Sequence, residues 1–134
     1  MKIVTTMLED ELYESANENG HKATIDMRKV EDKKHQSPVE ILLSAVAACG
    51  AVDIVLMLKK RRKTIRHFFI ETEGVRNKED PRYFTHIHCK YVVHSPDVNK
   101  EEFSKAASLS LEKYCSVATS LKAKVTYEVE VIPA

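Results

Sequence analysis

Two cysteines, Cys49 and Cys115, are the residues of this sequence whose spacing suggests chemistry. They lie too far apart in the chain to form the short CxxC pair of many thiol oxidoreductases. Both fall in segments whose composition predicts helices, residues 37–50 and 109–117. If the fold brings these two segments together, the thiols can form and break a disulfide. The sequence therefore indicates a thiol pair for redox chemistry.

Taken singly, each cysteine also has a simpler interpretation as a small core residue. Cys89 fits that interpretation best, because it shares the apolar face of a predicted strand with Ile87 and Tyr91. Cys49 would need a nearby positive charge to ionise near neutral pH. Arg28, in the loop before the helix that carries Cys49, is the cation that we expect there.

Two acidic residues share the predicted helix of Cys49. Glu40 completes a capping box with Ser37 at the helix start, and it could also hold an arginine beside the thiol. Asp53 follows Cys49 by one helical turn on the same face. Its charge would oppose ionisation of the thiol unless a cation balanced it, and the sequence assigns it no role.

The elements that must position these residues follow from periodicity and capping signals. Alternation and turn signals predict strands at residues 2–7, 11–16, 21–27, 64–73, 82–94 and 124–132. Ser37 and Pro38 begin one helix that runs to about Lys60, and Asn99 with Glu102 begins another that ends near residues 119–121. The order βββαββαβ predicts an α+β fold with a largely antiparallel sheet.

Composition narrows the class of protein. A chain of 134 residues predicts a single domain over residues 1–134. Lysine and arginine total 21 against 20 acidic residues, so no nucleic-acid partner is expected. Three cysteines do not make a disulfide framework, and an acidic run follows the first strand instead of a leader-like segment, so we expect a reducing cytoplasm.

One apolar stretch raises the question of a membrane. Residues 41–58 approach the length of a spanning helix, but Asp53 lies near the middle and many of the residues are small. We therefore expect no membrane partner. A helix that is apolar on all sides must then be buried on all sides, which in so small a chain suggests cover from a second subunit.

The run from Ser37 through Cys49 to Lys60, together with the run from Glu112 to Val117 around Cys115, resembles the OsmC/Ohr family of thiol-dependent peroxidases, and within it the small OsmC-like branch. The resemblance implies an intertwined homodimer, with antiparallel sheets around two central helices and sites at the subunit interface.

The same resemblance implies roles for particular residues. It makes Cys49 the peroxidatic thiol and Cys115 the resolving thiol, assisted by a glutamate and an arginine, for which Glu40 and Arg28 stand here. The expected substrate is a small organic hydroperoxide, the expected reductant is an external dithiol, and no cofactor is expected.

Two other functions stay open. The dimer could bind a small hydrophobic ligand in a thiol-bearing crevice without catalysing a reaction. Alternatively, His86 and His88 could form a metal site, since they project from the same face of one strand. Because they share that face with Lys90 and lack a third ligand at suitable spacing, a solvated strand face is the favoured interpretation.

Overall fold

The computed structural model describes residues 1–134 as two compact units, Met1–Leu42 and Leu43–Ala134. The elements are β1 (Ile3–Glu9), β2 (Leu12–Asn17), β3 (Lys22–Asp26), α1 (Pro38–Lys60), β4 (His67–Arg76), β5 (Phe84–His94), α2 (Lys100–Leu109), a π-helical turn (Ser110–Tyr114), α3 (Ser116–Thr119) and β6 (Lys124–Ile132). This confirms the α+β class and the order βββαββαβ, with the last predicted helix divided into three pieces. The single domain over residues 1–134 stays a prediction.

The first unit contains an antiparallel sheet in the order β1-β2-β3. The predicted turn between β2 and β3 is present. Gly20 has a positive φ of 82°, and the Asn17 side chain accepts hydrogen bonds from the backbone N–H groups of Asn19 and His21. Every residue of β1 is exposed.

Helix α1 begins as its capping signals predict. The Glu40 carboxylate accepts a hydrogen bond from the Ser37 backbone N–H at 3.0 Å, and the Ser37 hydroxyl accepts one from the Glu40 N–H at 3.3 Å. Lys59 and Lys60 lie in the last turn, where positive charge complements the helix dipole. By length and composition alone this helix could cross a membrane, a test that the core helices of soluble proteins also pass.

The second unit contains a sheet in the order β4-β5-β6. Strands β4 and β5 are antiparallel, whereas β5 and β6 are parallel. Parallel neighbours need a crossover connection, and the helical segments between residues 100 and 119 supply it. The prediction of a largely antiparallel fold therefore holds, with the β5–β6 pair as its exception.

Strand β4 starts three residues later than predicted. The Thr64 N–H donates a hydrogen bond to the Asp97 carboxylate at 2.8 Å, and Lys63 Nζ donates to the Asp97 carbonyl at 2.9 Å. These bonds hold residues 63 and 64 outside the ladder. At its other end β4 extends past Gly74 to Arg76, because residues 74–76 still pair with β5. The Phe84 ring occupies the space that a side chain at residue 74 would need.

The core of the second unit lies between α1, α2 and one face of the sheet. The predicted inward face of β5 is largely confirmed, with Ile87, Cys89, Tyr91 and Val93 fully buried. Phe103 of α2 is fully buried too, and the Phe68 ring packs against the rings of Phe103 and Tyr91. The core therefore abuts α1, which carries Cys49, and α2, which leads into the segment that ends at Cys115.

Candidate functional site

Cys49 lies in the middle of α1 and is partly exposed as a free thiol. The next residue, Gly50, is buried. A Cβ atom at residue 50 would lie 2.7 Å from the Tyr91 hydroxyl oxygen, which is closer than real Cβ contacts come. Only glycine at residue 50 leaves room for the Tyr91 hydroxyl, and Cys49 lies next to this position in the helix.

Cys115 lies outside regular helix, contrary to the prediction of a continuous helix through residue 115. Its backbone has φ −76° and ψ 95°, and its N–H donates to the Ser110 carbonyl at 2.8 Å, which closes the π-helical turn. The Cys115 sulfur then caps α3 by accepting a hydrogen bond from the Ala118 N–H at 3.4 Å. The thiol is fully buried.

Ser110 connects the two cysteine-bearing segments. Its hydroxyl donates a buried hydrogen bond of 2.7 Å to the Gly50 carbonyl, while its own carbonyl accepts the Cys115 N–H. Two hydrogen bonds through one serine thus join the backbone at residue 50 to the backbone at residue 115. We call this pair of bonds the Ser110 bridge.

The Ser110 bridge connects the segments that carry the two predicted thiols. Burial raises the pKa of the Cys115 thiol, the Ala118 N–H opposes that effect, and a side-chain hydrogen-bond interaction with Cys49 raises the pKa further. The Ser110 bridge independently joins the backbone at residue 50 to the backbone at residue 115. The sequence prediction that folding brings these cysteines together is therefore consistent with the geometry, while their separate chemical roles stay a prediction.

Arg28 has its partners within the first unit. Its Nε and Nη2 atoms donate to the two carboxylate oxygens of Asp26 at 2.9 and 2.7 Å, and Nη1 donates to the Glu9 carboxylate at 2.9 Å. Asp26 is fully buried and also accepts the backbone N–H groups of Lys34 and His35. The structure thus gives this guanidinium a structural partner, and its role beside Cys49 remains a prediction.

Glu40 performs the capping function that the sequence predicts. Hydrogen bonds from the backbone N–H and the hydroxyl of Ser37 lower the pKa of its carboxyl. Its second predicted role, holding an arginine beside the thiol, remains a prediction. Asp53 is half-buried. It lines a cavity of about 450 Å³ together with Leu56, Met57, Lys60, Leu109 and Tyr114.

His86 and His88 occupy a polar face of the second sheet. His86 Nε2 and His88 Nδ1 both lie within hydrogen-bond distance of the Thr126 hydroxyl, at 2.9 and 2.7 Å, and His88 Nε2 lies 3.8 Å from Glu128. No group of three or more metal-ligating side chains with suitable geometry occurs in the chain. The arrangement agrees with a hydrogen-bonded strand face.

Comparison with known proteins assigns the chain to a family. The sequence profile of the family described as "OsmC-like protein" matches residues 31–130. Protein YhfA of Escherichia coli (strain K12) is 36% identical over 125 residues, which cover 92% of this chain and 90% of that protein. The chain belongs to the OsmC family.

Solved structures of OsmC-family proteins share the fold. An OsmC like protein from Mycoplasma pneumoniae superposes with a TM-score of 0.83 at 21% identity, covering 98% of this chain and 96% of that one. The organic hydroperoxide resistance protein OhrB of Bacillus subtilis superposes with a TM-score of 0.62 at 16% identity, covering 97% and 96%. At these identities the likeness concerns the fold.

The OsmC-family match includes Glu40, Cys49 and Cys115 but begins after Arg28. Sequence reasoning missed two residues beside the thiols, Ser110 and Tyr91. Ser110 falls within the predicted second helix, where the sequence gives it no role, and Tyr91 has only the alternation that places it on the apolar face of its strand. The one local signal was Gly50, a helix-interior glycine directly after a cysteine, which indicates a close approach by another part of the chain.

We predict that Asp26→Asn lowers the melting temperature by several degrees at neutral pH, because it removes the charge that binds Arg28 within the buried cluster. Arg28 holds the pKa of Asp26 well below its usual range. A depressed pKa stabilises the folded state above the unfolded value of about 3.9, and this contribution is lost progressively as the pH falls below it.

Thermal unfolding followed by circular dichroism between pH 2 and pH 8 measures this effect. The difference between the parent protein and Asp26→Asn should be largest near pH 7 and shrink below about pH 4. Glu9→Gln is the control, because its carboxylate is exposed and an exposed ion pair contributes little. An equal difference at pH 2.5 and pH 7 would show that packing, and not charge, explains the loss.

We predict that Ser110→Ala destabilises the protein by about 1 kcal/mol, the usual contribution of one buried hydrogen bond, and slows closure of the Cys49–Cys115 disulfide by diamide. Ser108→Ala is the matched control, because Ser108 makes an exposed hydrogen bond to Glu112 at 3.2 Å. Urea unfolding and quantification of free thiols measure the two effects. Closure as fast in Ser110→Ala as in the control would contradict the positioning role of the Ser110 bridge.

Proposed function

We propose that this protein reduces organic hydroperoxides through Cys49 and Cys115. The observation that carries the proposal is the juxtaposition of a partly exposed thiol with a fully buried one across the Ser110 bridge. Membership of the OsmC family and the likeness in fold to proteins named for organic hydroperoxide resistance support it.

Exposure favours Cys49 as the thiol that meets the peroxide. Its side chain is accessible from solvent, whereas Cys115 has no exposed surface. A hydroperoxide arriving from solution can therefore reach Cys49 first. The Cys49 thiolate would attack the outer peroxide oxygen, break the O–O bond, release an alcohol after protonation and become a sulfenic acid.

Cys115 would then resolve the oxidised thiol. Its sulfur attacks the sulfenic sulfur of Cys49, the S–O bond breaks, and hydroxide takes up the proton of the Cys115 thiol to leave as water. An external dithiol returns the disulfide to two thiols and is itself oxidised to a disulfide. Such a cycle suits a reducing compartment, and we propose the cytoplasm.

Arg28 and Glu40 complete the proposal as assistants of the first thiol. A thiolate forms more readily beside a guanidinium, and Arg28 carries one. Glu40 would orient the arginine. Both side chains have structural partners, Asp26 and Ser37, so the proposal requires each of them to serve the site in addition to the fold.

We propose further that the working form is a homodimer. Along α1 the exposed residues include Ala48, Val52 and Leu56, with Val52 60% and Leu56 53% exposed. An apolar face of this kind is covered in most folded proteins. A second copy of the chain fits better than lipid, because Asp53 lies on the same helix between Val52 and Leu56.

A cavity favours one alternative function, the binding of a small hydrophobic ligand. The cavity of about 450 Å³ beside Asp53 has apolar walls from Leu56, Met57 and Leu109, and its size is within the range of small-molecule sites. Recovery of an organic molecule from native protein, with no oxidation of Cys49 by peroxides, would favour this alternative.

We predict that Cys49→Ser reduces the consumption of cumene hydroperoxide to the rate of free thiols. Cys115→Ser should retain one rapid oxidation at Cys49 but fail to turn over with a dithiol. Stopped-flow oxidation and a coupled peroxide assay measure the two behaviours, with Cys89→Ala as the control that keeps both thiols. If the parent protein reacts with cumene hydroperoxide and hydrogen peroxide no faster than free cysteine does, the proposal is rejected.

We predict that Leu56→Glu converts a dimer into monomers, because it places a charge on the apolar face of α1. Val75→Glu is the control, since Val75 is 58% exposed on β4 and the same charge there should leave the dimer intact. Sedimentation equilibrium at several concentrations measures the mass. A parent protein of monomeric mass, 15.3 kDa, at all concentrations would refute the dimer.

A further inference from the structure

The second unit has another cavity, which is lined by the end of α1 and by α2. Its volume is about 230 Å³. Met57 and Leu58 of α1 and Ala106 and Leu109 of α2 form its apolar walls. We call it the α1–α2 cavity. A concave site with apolar walls and a few polar groups is the usual form of a small-molecule site.

The α1–α2 cavity has an excess of positive charge. Three cationic side chains line it, those of Lys60, Arg61 and Lys105. Lys105 lies 3.7 Å from the exposed carboxylate of Glu101, whereas Lys60 and Arg61 form no ion pair. A ligand with an anionic group would therefore meet two positive charges that no carboxylate of the chain balances.

Glu102, the acidic residue of the lining, is balanced within the fold. One carboxylate oxygen lies 3.3 Å from Lys63 Nζ, and the other accepts a hydrogen bond from Asn99 Nδ2 at 2.6 Å. Lys63 Nζ also donates to the Asp97 carbonyl at 2.9 Å. These contacts hold the chain just after α1 against the start of α2, so the cavity is formed without a ligand. They also leave the other cations of the cavity unopposed.

The α1–α2 cavity lies on a different side of α1 from the apolar face proposed for the dimer. Successive residues of an α-helix are turned by about 100°, so Met57 lies about 140° and Arg61 about 180° around the helix from Val52. Arg61 continues the helical turn, because its N–H donates to the Met57 carbonyl at 3.3 Å. A second copy that covers Val52 therefore does not need to cover this cavity.

Charge distinguishes the α1–α2 cavity from the cavity beside Asp53. The two share Met57, Lys60 and Leu109, but the carboxylate of Asp53 would repel an anion in the second one. An anionic ligand is therefore expected in the α1–α2 cavity. Its 230 Å³ is less than the roughly 300–1,000 Å³ of sites for drug-sized molecules, so the apolar part of the ligand must be short.

We propose that the α1–α2 cavity binds a small organic acid with a short aliphatic body, a medium-chain monocarboxylate. The carboxylate binds Lys60 and Arg61, since a guanidinium and an ammonium group both donate hydrogen bonds to such an anion. The aliphatic body packs against Ala106 and Leu109, and each methylene group removed from water strengthens binding. The inference is independent of the proposed function, because binding involves neither thiol.

Titration of the reduced protein with sodium octanoate, followed by ¹H–¹⁵N correlation NMR, tests the site. Saturable shifts of the Ala106 and Leu109 backbone signals are expected. Two control ligands separate charge from burial, because octan-1-ol has the chain without the charge and acetate has the charge without the chain. Each should bind at least about tenfold more weakly than octanoate does.

Matched variants at the end of α1 test the two cations. Lys60→Gln and Arg61→Gln should each weaken octanoate binding by about threefold, as the loss of an exposed ion pair implies, and the double variant by about tenfold. Lys59→Gln and Arg62→Gln are the controls, because they remove the same charges from neighbouring residues that do not line the cavity. Octan-1-ol binding should be the same in all of these variants.

Three outcomes would overturn the inference. The first is the absence of saturable octanoate binding up to about 10 mM. The second is equal binding of octanoate and octan-1-ol, or shifts centred on Val52 and Leu56, which would indicate adsorption to the apolar face of α1. The third is an equal loss of octanoate affinity in Arg61→Gln and Arg62→Gln. The exposed positions of these variants keep the fold intact, so each result decides the question.

Discussion

The Ser110 bridge is the constraint on which the candidate site depends. A disulfide requires Cα atoms roughly 4.4–6.8 Å apart, and no local feature of the chain sets that separation for residues 49 and 115. Strands β4 and β5 and helix α2 lie between them, so their approach is decided by packing in the second unit. Ser110 then joins the two segments directly, because it binds Gly50 through its hydroxyl and Cys115 through its carbonyl. Its energetic contribution is modest, but its geometric effect acts on both cysteines at once.

Elements with local signals were predictable, and elements that depend on distant contacts were not. The Ser37 capping box fixed the start of α1, and the Asn99 side chain, which accepts the Glu102 N–H, fixed the start of α2. Alternation gave β6 its bounds. The sequence could not indicate that the helix ends before Cys115, because the π-helical turn is tied to the bond from Ser110 to Gly50, sixty positions away in the chain. Strand β4 was misplaced for a similar reason, since its start is set by Asp97.

The candidate site was predictable in its sulfur atoms and not in their surroundings. Cysteine is a rare residue, so two cysteines in predicted helical segments suggest a redox pair. The family resemblance then supplied the expected reaction, the reduction of a hydroperoxide. The charged partners of the candidate site residues were harder to predict. The sequence alone gives no partner for the Arg28 guanidinium. In the structure, Asp26 lies two residues away, is fully buried and binds that guanidinium. Tyr91 had no distinguishing signal, because an inward tyrosine on an alternating strand is indistinguishable from an ordinary core residue until the partners of its hydroxyl are known.

The features around the thiols share a thermodynamic character. A π-helical turn and a buried unpaired hydroxyl each cost stability, and both occur within the contact region of Gly50, Tyr91 and the segment from Ser110 to Cys115. A fold selected for stability alone would continue α2 through Cys115 and place phenylalanine at residue 91. Where local rules fail together at one place, function is the usual reason. These costs lie where Gly50, the residue after Cys49, meets the segment that ends at Cys115, so the contact between the two thiol-bearing segments is the part of the molecule that local rules do not explain.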